Sequence, residues 1–438
     1  MAISTDAMYD ARSRYLHQMF RIHFSPSKQL EVYKDKYLVS SSIYEEGYKM
    51  SDSPFGDVTS NEVSFTLFNE DGMFNPSNSS GEYYGLIKKG IKVEAFMRPD
   101  EVDEWDPMGV FYVTDWYTTA SAITAEVTAN DILHNVLNGP VPAMPVYRNI
   151  PFKEFVELYF AYFGYEVLVD ETINYIIPYV YTSSHSNNKA FLSDLMKSAL
   201  ADCICGHDGK IRVLSKIADR ATRATFTDTD QIVNITVKQS ITTNYDSVTV
   251  TCNKCQESGE QVLVDLTDMI LTPGVNSTGK LTLSKQPALS IKSVSTTGLD
   301  NLTILSYEAS AKEFVGNIRS TANTSTDLIV VGTVLDTTTI TVGEEKETPL
   351  SVASPFIQKE DMAETIRKYT EAYIEANLPV LELQVRGNPK IELGSMIEVD
   401  SIFYKTKYTG ILISSSYDYA GKLSSKLTLI DASMLEEV

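Results

Sequence analysis

The sequence is poor in cysteine, has no long apolar run and contains fewer basic than acidic residues. Only 4 of its 438 residues are cysteines, too few for a disulfide framework in so long a chain. No stretch approaches the run of about 18 apolar residues that a membrane-spanning helix needs, and residues 1–20 lack the apolar core of a signal peptide. We therefore expect a protein that is made in a cytoplasm, folds on its hydrophobic core and has no stable membrane insertion.

The charge balance restricts the partners of the protein. The chain has 58 acidic against 37 basic residues, a formal net charge of −21. A protein that grips nucleic acid needs cations that displace the counterions of the phosphates, so a DNA-binding surface is not expected. An acidic protein is still compatible with DNA that slides past without being held.

Signatures of enzymes are also missing. The sequence has no G-x-S-x-G, no P-loop, no H-E-x-x-H and no glycine-rich dinucleotide turn after a strand. Its five histidines are scattered, and the alternating pattern places His23 on the polar face of a strand. We expect no catalytic residue and no cofactor.

Alternation of apolar and polar residues dominates the first 130 residues. It is clear in "FRIHF" (20–24) and "VSFTLF" (63–68) and recurs over residues 91–95 and 123–129, with Gly, Pro, Asn and Asp between the runs. Period-2 runs separated by turn residues predict an antiparallel sheet that curls on itself. We predict a β-barrel at residues 17–130, preceded by an N-terminal arm at residues 1–16.

The middle of the chain alternates between helical and strand patterns. "PFKEFVELYFAYFG" (151–164) and "NNKAFLSDLMKSALA" (187–201) have apolar residues at helical spacing, which predicts an α/β insertion at residues 131–220. "KEDMAETIRKYTEAYIEANLP" (359–379) predicts a long amphipathic helix within a linker at residues 351–379. The fold class is therefore mainly β with an α/β insertion, α+β overall.

Two distant stretches repeat the same order of three alternating strands. Each copy has a glycine before its first and second strand and closes at an aspartate: Gly90, Gly109 and Asp131 in one, Gly394, Gly410 and Asp431 in the other. Any two antiparallel meanders can share such an order, but the matched glycines favour a duplicated unit. The second barrel would comprise residues 221–266 and 380–438, with a peripheral β insertion at residues 267–350.

Metal-binding patterns are weak. The possible ligands are Cys203, Cys205, Cys252, Cys255 and His207. Zinc sites favour pairs spaced C-x₂₋₄-C, so C-x-C is an uncommon first pair, and in a hairpin strand Cys203 and Cys205 would share one face with Ile204 on the other. The acidic segment "RPDEVDEWDPMG" (98–109) lacks the spacing of a calcium loop and predicts a solvated hairpin tip. We expect no metal site.

Three segments together resemble a known family. They are "FTLFNEDGMFNPSNSSGEYYGLIKKGIKVEAF" (65–96) with "GVFYVTDW", "AFLSDLMKSALADCICGHDGKIRV" (190–213), and "NPKIELGSMIEVD" (388–400) with "YTGILISSSYDYAGKLSSKLTLI" (408–430). The ordered set resembles the baseplate hub, or tail-tip, proteins of tailed bacteriophages and related contractile injection systems. In the tyrosine pair of the first segment, Tyr83 and Tyr84, either residue is a candidate for an interface anchor or for the core.

The resemblance implies a structural protein rather than an enzyme. It implies a homotrimer whose two barrels per chain form a pseudo-sixfold ring in the virion, assembled in the host bacterial cytoplasm. Such a ring would join a hexameric tail tube or distal tail protein to a tip, spike or tape-measure protein, and DNA would pass through its lumen without specific binding. Any lytic activity would belong to another chain. The alternative is a host-recognition or carbohydrate-binding β protein of the same tail.

Overall fold

The fold is described from a computed structural model of the chain. The described residues are 15–47, 55–100, 102–119, 123–183, 185–217, 221–227, 232–238, 245–297, 302–376 and 379–432. Almost all of the predicted N-terminal arm lies outside them.

One large sheet of thirteen strands runs through the molecule, and its first seven strands form what we call the first β unit. They are β1 (Leu16–Ser25), β2 (Lys28–Tyr33), β3 (Leu38–Glu46), β4 (Glu62–Phe68), β5 (Lys92–Pro99), β6 (Asp106–Thr119) and β7 (Thr124–Asn130). They pair antiparallel in the order β3-β4-β7-β6-β5-β1-β2. Their inward side chains, Phe20, Phe65 and Phe111 among them, build one buried cluster. The strand pattern predicted from the alternation is confirmed.

The long loop between β4 and β5 closes this cluster. Tyr83 is buried, and its ring stacks on Phe24 and Phe74 with centroids 4.2 and 5.7 Å apart, whereas the neighbouring Tyr84 is exposed. Trp116 donates a hydrogen bond from its indole to the Phe74 carbonyl at 2.9 Å. Tyr83 is thus a core residue, and Tyr84 is the member of the pair that remains accessible.

The predicted α/β insertion follows. Its elements are α1 (Ile132–Leu137), β8 (Tyr147–Pro151), α2 (Phe152–Tyr162), β9 (Val167–Val169), β10 (Ile176–Val180), α3 (Asn188–Lys197), β11 (Ala201–Cys205) and β12 (Ile211–Ser215). α2 starts directly after Pro151, and Asn187 caps α3 by accepting a bond from the Ala190 amide. Buried Asn188 joins the two helices, because it accepts a bond from the Tyr159 hydroxyl at 2.6 Å.

The chain then returns briefly to the large sheet and builds a peripheral β region. The returning strands are β13 (Thr222–Thr227) and β14 (Asn234–Lys238). The peripheral strands are β15 (Ser247–Glu257), β16 (Gln261–Leu271), β17 (Gly274–Ser277), β18 (Leu281–Thr282), β19 (Ala288–Thr296), β20 (Leu302–Ala309), β21 (Glu313–Ser320), β22 (Thr324–Val342) and β23 (Pro349–Ala353). They are followed by the helix α4 (Glu360–Ala376). The predicted amphipathic helix is α4, whose Ile366 and Tyr369 pack on Val248 and Val250 of β15.

The second β unit consists of β13, β14 and the last four strands. The last four strands are β24 (Val380–Val385), β25 (Met396–Ser401), β26 (Thr406–Tyr419) and β27 (Leu423–Asp431). They surround a separate buried cluster that includes Leu383, Ile397 and Leu429.

The return segment differs from the sequence prediction. Of the described strands of this segment, only β13 and β14 pair with strands of the second unit, whereas β15 and β16 both pair with β22 in a separate five-stranded sheet. The reason is that β22 is long enough to pair with β16 and β19 along its first half and with β15 along its second half. Alternation indicates a strand but not which sheet the strand joins.

Candidate functional site

The two β units have the same strand order. In the first unit the order is β4-β7-β6-β5, and in the second it is β24-β27-β26-β25, all antiparallel. The flanking strands also correspond, because β3 pairs with β4 and β14 pairs with β24. The repeat seen in the sequence therefore corresponds to a repeat of strand topology.

The match extends to individual hydrogen bonds at the first glycine of each copy. The Gly90 amide donates to the Val113 carbonyl at 2.8 Å, and the Val113 amide donates to the Ile91 carbonyl at 2.9 Å. In the second unit Gly394 and Leu412 make the same bond at 2.8 Å, and the Leu412 amide donates to the Ser395 carbonyl at 2.9 Å. Both glycines have a left-handed backbone, with φ of 81° and 78°, which a side chain disfavours.

The far ends of the two units match as well. The Asp131 amide donates to the Asn61 carbonyl at 3.0 Å, and the Asp431 amide donates to the Pro379 carbonyl at 3.1 Å. A bulge also recurs at the same place, because the register between the last two strands shifts just after Val113 in the first unit and just after Leu412 in the second. Both aspartates therefore close equivalent strands.

The second glycines are not equivalent. Gly109 lies opposite Ala95, whereas Gly410 lies opposite Ile397, which corresponds to Val93. Gly410 thus takes the place of Phe111, which is the residue opposite Val93. The sequence match of Gly109 with Gly410 is therefore out of register by two residues, because the two glycines occupy different positions along their strands.

Buried positions coincide although the residues differ. Aligned through the strand partners, the pairs of core residues are Val63 and Leu381, Phe65 and Leu383, Leu67 and Val385, Val93 and Ile397, Ala95 and Val399, and Val113 and Leu412. Each set lies on the inward face of its unit. Such agreement over three strands supports a duplication and not two unrelated meanders.

The two units are joined edge to edge within the chain by β26 and β3. The first half of β26 pairs with β25, and its second half, from Ser414 to Tyr419, pairs antiparallel with β3. Tyr417 and Tyr419 from this second half lie in the core of the first unit. The large sheet therefore continues from one unit into the next without a break.

A buried ion pair lies at this joint. Nε2 of His207, at the tip of the β11–β12 hairpin, is 2.8 Å from a Glu45 carboxylate oxygen on β3, and the side chains are 3% and 2% exposed. Nδ1 of His207 lies 2.6 Å from the Pro389 carbonyl, and the other Glu45 oxygen accepts a bond from the Ser415 hydroxyl at 2.6 Å. Burial alone would lower the pKa of His207, but the Glu45 carboxylate outweighs it and raises that pKa to about 9.

The outward face of the joined sheet is polar. Cross-strand partners form continuous rows across both units, one of Glu62, Tyr44, Ser416, Lys426, Gln384 and Asn234, and another of Thr128, Ser64, Ser42, Asp418 and Ser424. The hydroxyl groups of Ser, Thr and Tyr dominate these rows. These rows make the face around the joint polar.

Acidic groups outnumber basic ones on this face. Lys238 and Lys426 both contact Glu382, at 2.6 and 3.1 Å. In the same part of the face, three acidic side chains bond to uncharged donors: Glu62 to Asn130, Glu126 to Tyr117, and Asp418 to Ser42. Elsewhere on the sheet, Glu94 lies beside Arg21 and Lys92, and Glu398 beside Lys407. The excess of acidic over basic side chains is therefore greatest near the joint.

The cysteines lie in two parts of the structure. Cys203 and Cys205 point into the core of the insertion and Ile204 into the core of the second unit, as the hairpin interpretation predicted. Cys252 and Cys255 lie on β15, and Cys252 is buried under α4. Burial raises the pKa of each of these four thiols. Over the described residues, no three His, Cys, Asp or Glu side chains come together as a metal-binding group.

The acidic segment between β5 and β6 is an exposed hairpin tip. Arg98 holds it by donating to the Val102 carbonyl at 2.6 Å and by lying over the Trp105 ring, 4.9 Å from its centroid. Asp103 is fully exposed and 3.7 Å from Arg98. Within the described part of the chain, no helix is both long and apolar enough to cross a membrane.

Sequence reasoning missed the joint between the units. Neither Glu45 nor Ser415 lies in a recognisable motif, and the sequence suggests no role for His207 other than that of a metal ligand. The available signal was indirect: "SSSYDY" (414–419) continues the alternation of β26 beyond the length needed to pair with β25.

Comparison with solved structures places this fold among tail proteins. The chain is similar to the 43 kDa tail protein of prophage MuSo2 from Shewanella oneidensis, with a TM-score of 0.54 and 9% identity over 95% of this chain and 98% of that one. It is also similar to the tail protein from Neisseria meningitidis MC58, with a TM-score of 0.53 and 8% identity over 96% of this chain and 98% of that one. No family model matches the sequence, and no curated protein matches it. The resemblance to phage tail proteins is thus confirmed at the level of the fold.

Proposed function

We propose that this protein is a structural hub of a bacteriophage tail tip or baseplate, and that it acts as a trimeric ring. The observation that carries the proposal is the duplication of a β unit in register, with the two copies joined edge to edge by β26 and β3. Two like units joined head to tail form a heterologous contact, and repetition of such a contact closes a ring. Three chains then present six similar units.

A ring of six units from three chains suits a symmetry adaptor. One side would meet a hexameric tail tube or distal tail protein, and the other would meet a threefold tip, spike or tape-measure protein. In this arrangement the seven strands of the first unit and the six of the second are two barrel-like domains, and the α/β insertion and the peripheral β region decorate them. The site of action is the virion, after assembly in the bacterial cytoplasm.

The polar face of the joined sheet would line the channel. Its hydroxyl rows and its excess of acidic groups suit the passage of DNA, because each phosphate contact by Lys or Arg would add affinity and slow ejection. The protein would work as a conduit and not as an enzyme.

The decisive measurement is the assembly state of the full chain. Native mass spectrometry at micromolar concentration and negative-stain electron microscopy should show trimers and rings with an axial hole, alone or after addition of the adjoining tail protein. The assembled ring should not retain double-stranded DNA near physiological salt. Monomers under both conditions, or tight retention of DNA, would contradict the proposal.

A further inference from the structure

Among the described residues, two of the strand edges that remain unpaired in the large sheet correspond to the edges that join the two units inside one chain. The second half of β6, from Asp115 to Thr119, pairs only with β7, and β14 pairs only with β24, among the residues that the structure describes. Exposed strand edges carry unsatisfied amide and carbonyl groups and invite another strand. The two edges are the counterparts of those that β26 and β3 use for the internal joint.

The equivalence fixes a register between the edges. After the bulge, Ser414 pairs with Thr428 in the second unit, and Asp115 pairs with Thr128 in the first, so Ser414 corresponds to Asp115. Ser416 then corresponds to Tyr117, and Asp418 corresponds to Thr119. On the other edge, Tyr44 of β3 pairs with Glu62 of β4, and Lys238 of β14 pairs with Val380 of β24. Because Val380 is the counterpart of Glu62, Lys238 is the counterpart of Tyr44. Since Ser416 pairs with Tyr44 in the internal joint, Tyr117 should pair with Lys238.

The type of cross-strand pair follows from the same joint. The Gly47 amide donates to the Ile413 carbonyl at 2.9 Å, so Ile413 and Gly47 form a hydrogen-bonded pair, and the alternation makes Ser416 and Tyr44 a non-hydrogen-bonded pair. The Cα atoms of such pairs lie about 4.5 Å apart, within the range of about 4.4–6.8 Å that a disulfide needs.

Side chains on the two edges suit burial by a second copy. Ile235 and Val237 of β14 are only partly buried, whereas Ile43, the counterpart of Val237, is fully buried by the internal joint. On the polar face Tyr117 is 52% exposed and would lie beside the exposed Lys238, a favourable pairing of a ring with a cation. An added strand would thus cover apolar groups on one face and match polar groups on the other.

We propose that the second half of β6 pairs antiparallel with β14 of a second copy of this chain, with Tyr117 opposite Lys238 and Thr119 opposite Thr236. This inference rests on the proposed trimeric ring and specifies its interface. It makes the sheet continuous around the ring, because the contact between chains then repeats the contact within each chain.

Disulfide trapping tests the register. The full-length double variant Tyr117→Cys with Lys238→Cys is oxidised with diamide and run on a denaturing gel without reductant. We expect most of the chain to shift from 48.7 kDa to bands of two and three chains. The matched control is Tyr117→Cys with Thr236→Cys, whose positions are diagonal across the joint, about 7–8 Å apart, and should give far less product. Each single variant is a control for disulfides between the introduced cysteine and the native cysteines.

The outcomes separate this inference from the proposed function. Covalent trimers from the in-register pair alone support it. If native mass spectrometry shows trimers of the double variant but no link forms, or if both double variants link equally, the strand register is wrong while the ring stands. If the unmodified protein gives no trimers with or without the adjoining tail protein, the proposed ring fails and this interface fails with it.

Discussion

The buried ion pair between His207 and Glu45 predicts a large, pH-dependent cost of removing the imidazole. A pKa of about 9 against the ordinary 6.5 corresponds to about 3 kcal/mol of stabilisation of the charged ring. Replacement by Gln leaves the Glu45 carboxylate buried with Ser415 as a remaining donor. We expect His207→Gln to lower the free energy of unfolding at pH 6 by about 3 kcal/mol, at the lower end of the range of about 3–5 kcal/mol typical of broken buried pairs.

The sign of the pH dependence follows from the raised pKa. The folded protein retains the His207 proton up to about pH 9, whereas the unfolded chain releases it near pH 6.5. The stabilisation is therefore complete below about pH 6.5 and is lost as the pH rises through about 9. Wild-type stability should fall across this window more steeply than that of His207→Gln.

Calorimetry at several pH values from 6 to 10 measures this difference. A chain with several cores unfolds in more than one transition, so the transition that responds to His207→Gln must be followed by itself. Glu45→Gln and the double variant complete a double-mutant cycle. The loss of unfolding free energy in the double variant should differ from the sum of the losses in the two single variants. The control is His17→Gln, because His17 and Asp100 form a more exposed pair, worth at most about 1 kcal/mol. Parallel pH profiles for wild type and His207→Gln would refute the reasoning.

Three further predictions concern the glycines and the cysteines. Gly90→Val and Gly394→Val should each lower the melting temperature, since a left-handed backbone costs a side chain about 1–2 kcal/mol; Gly259→Val, at a position with an ordinary backbone and open space, is the control and should be nearly silent. Cys203 and Cys205 should resist iodoacetamide at pH 8 in the folded protein and react after unfolding, because burial raises their pKa; rapid alkylation of the native protein would contradict this. A variant with all four cysteines replaced by alanine should still fold, with a modest loss from repacking; stoichiometric zinc in the unmodified protein, by elemental analysis, would count against it.

Local features of the fold were predictable from the sequence because they depend on neighbouring residues. The alternation in "FRIHF" predicts β1, and the helical spacing of apolar residues over 151–164 and 187–201 predicts α2 and α3. Gly90 and Gly394 revealed the duplication because each is required by its own backbone conformation. The equivalence of Gly109 with Gly410 failed because the two glycines occupy different positions along their strands, and only the cross-strand pairing shows those positions.

Long-range pairing was not predictable in the same way. No local pattern shows that β26 divides its length between β25 and β3, or that β15 joins β22 and not the second unit. The His207 and Glu45 pair lay beyond sequence reasoning for the same reason, since its members are 162 residues apart. The polar face was visible only as alternate Ser and Thr residues, and the strand register was needed to align them into rows.

The joint between β26 and β3 has a consequence for the order in which parts of the protein fold during synthesis. Glu45 and Ser415 are 370 residues apart, and Tyr417, Tyr419 and Leu423 complete the core of a domain whose other strands are translated first. The first β unit must therefore wait, with part of its apolar core uncovered, until the ribosome has translated residues 414–423. Native contacts of such long range slow folding and extend the exposure to aggregation. Fragments that stop before residue 414 should consequently depend on chaperones, whereas a chain that includes residues 414–423 supplies the missing strand itself.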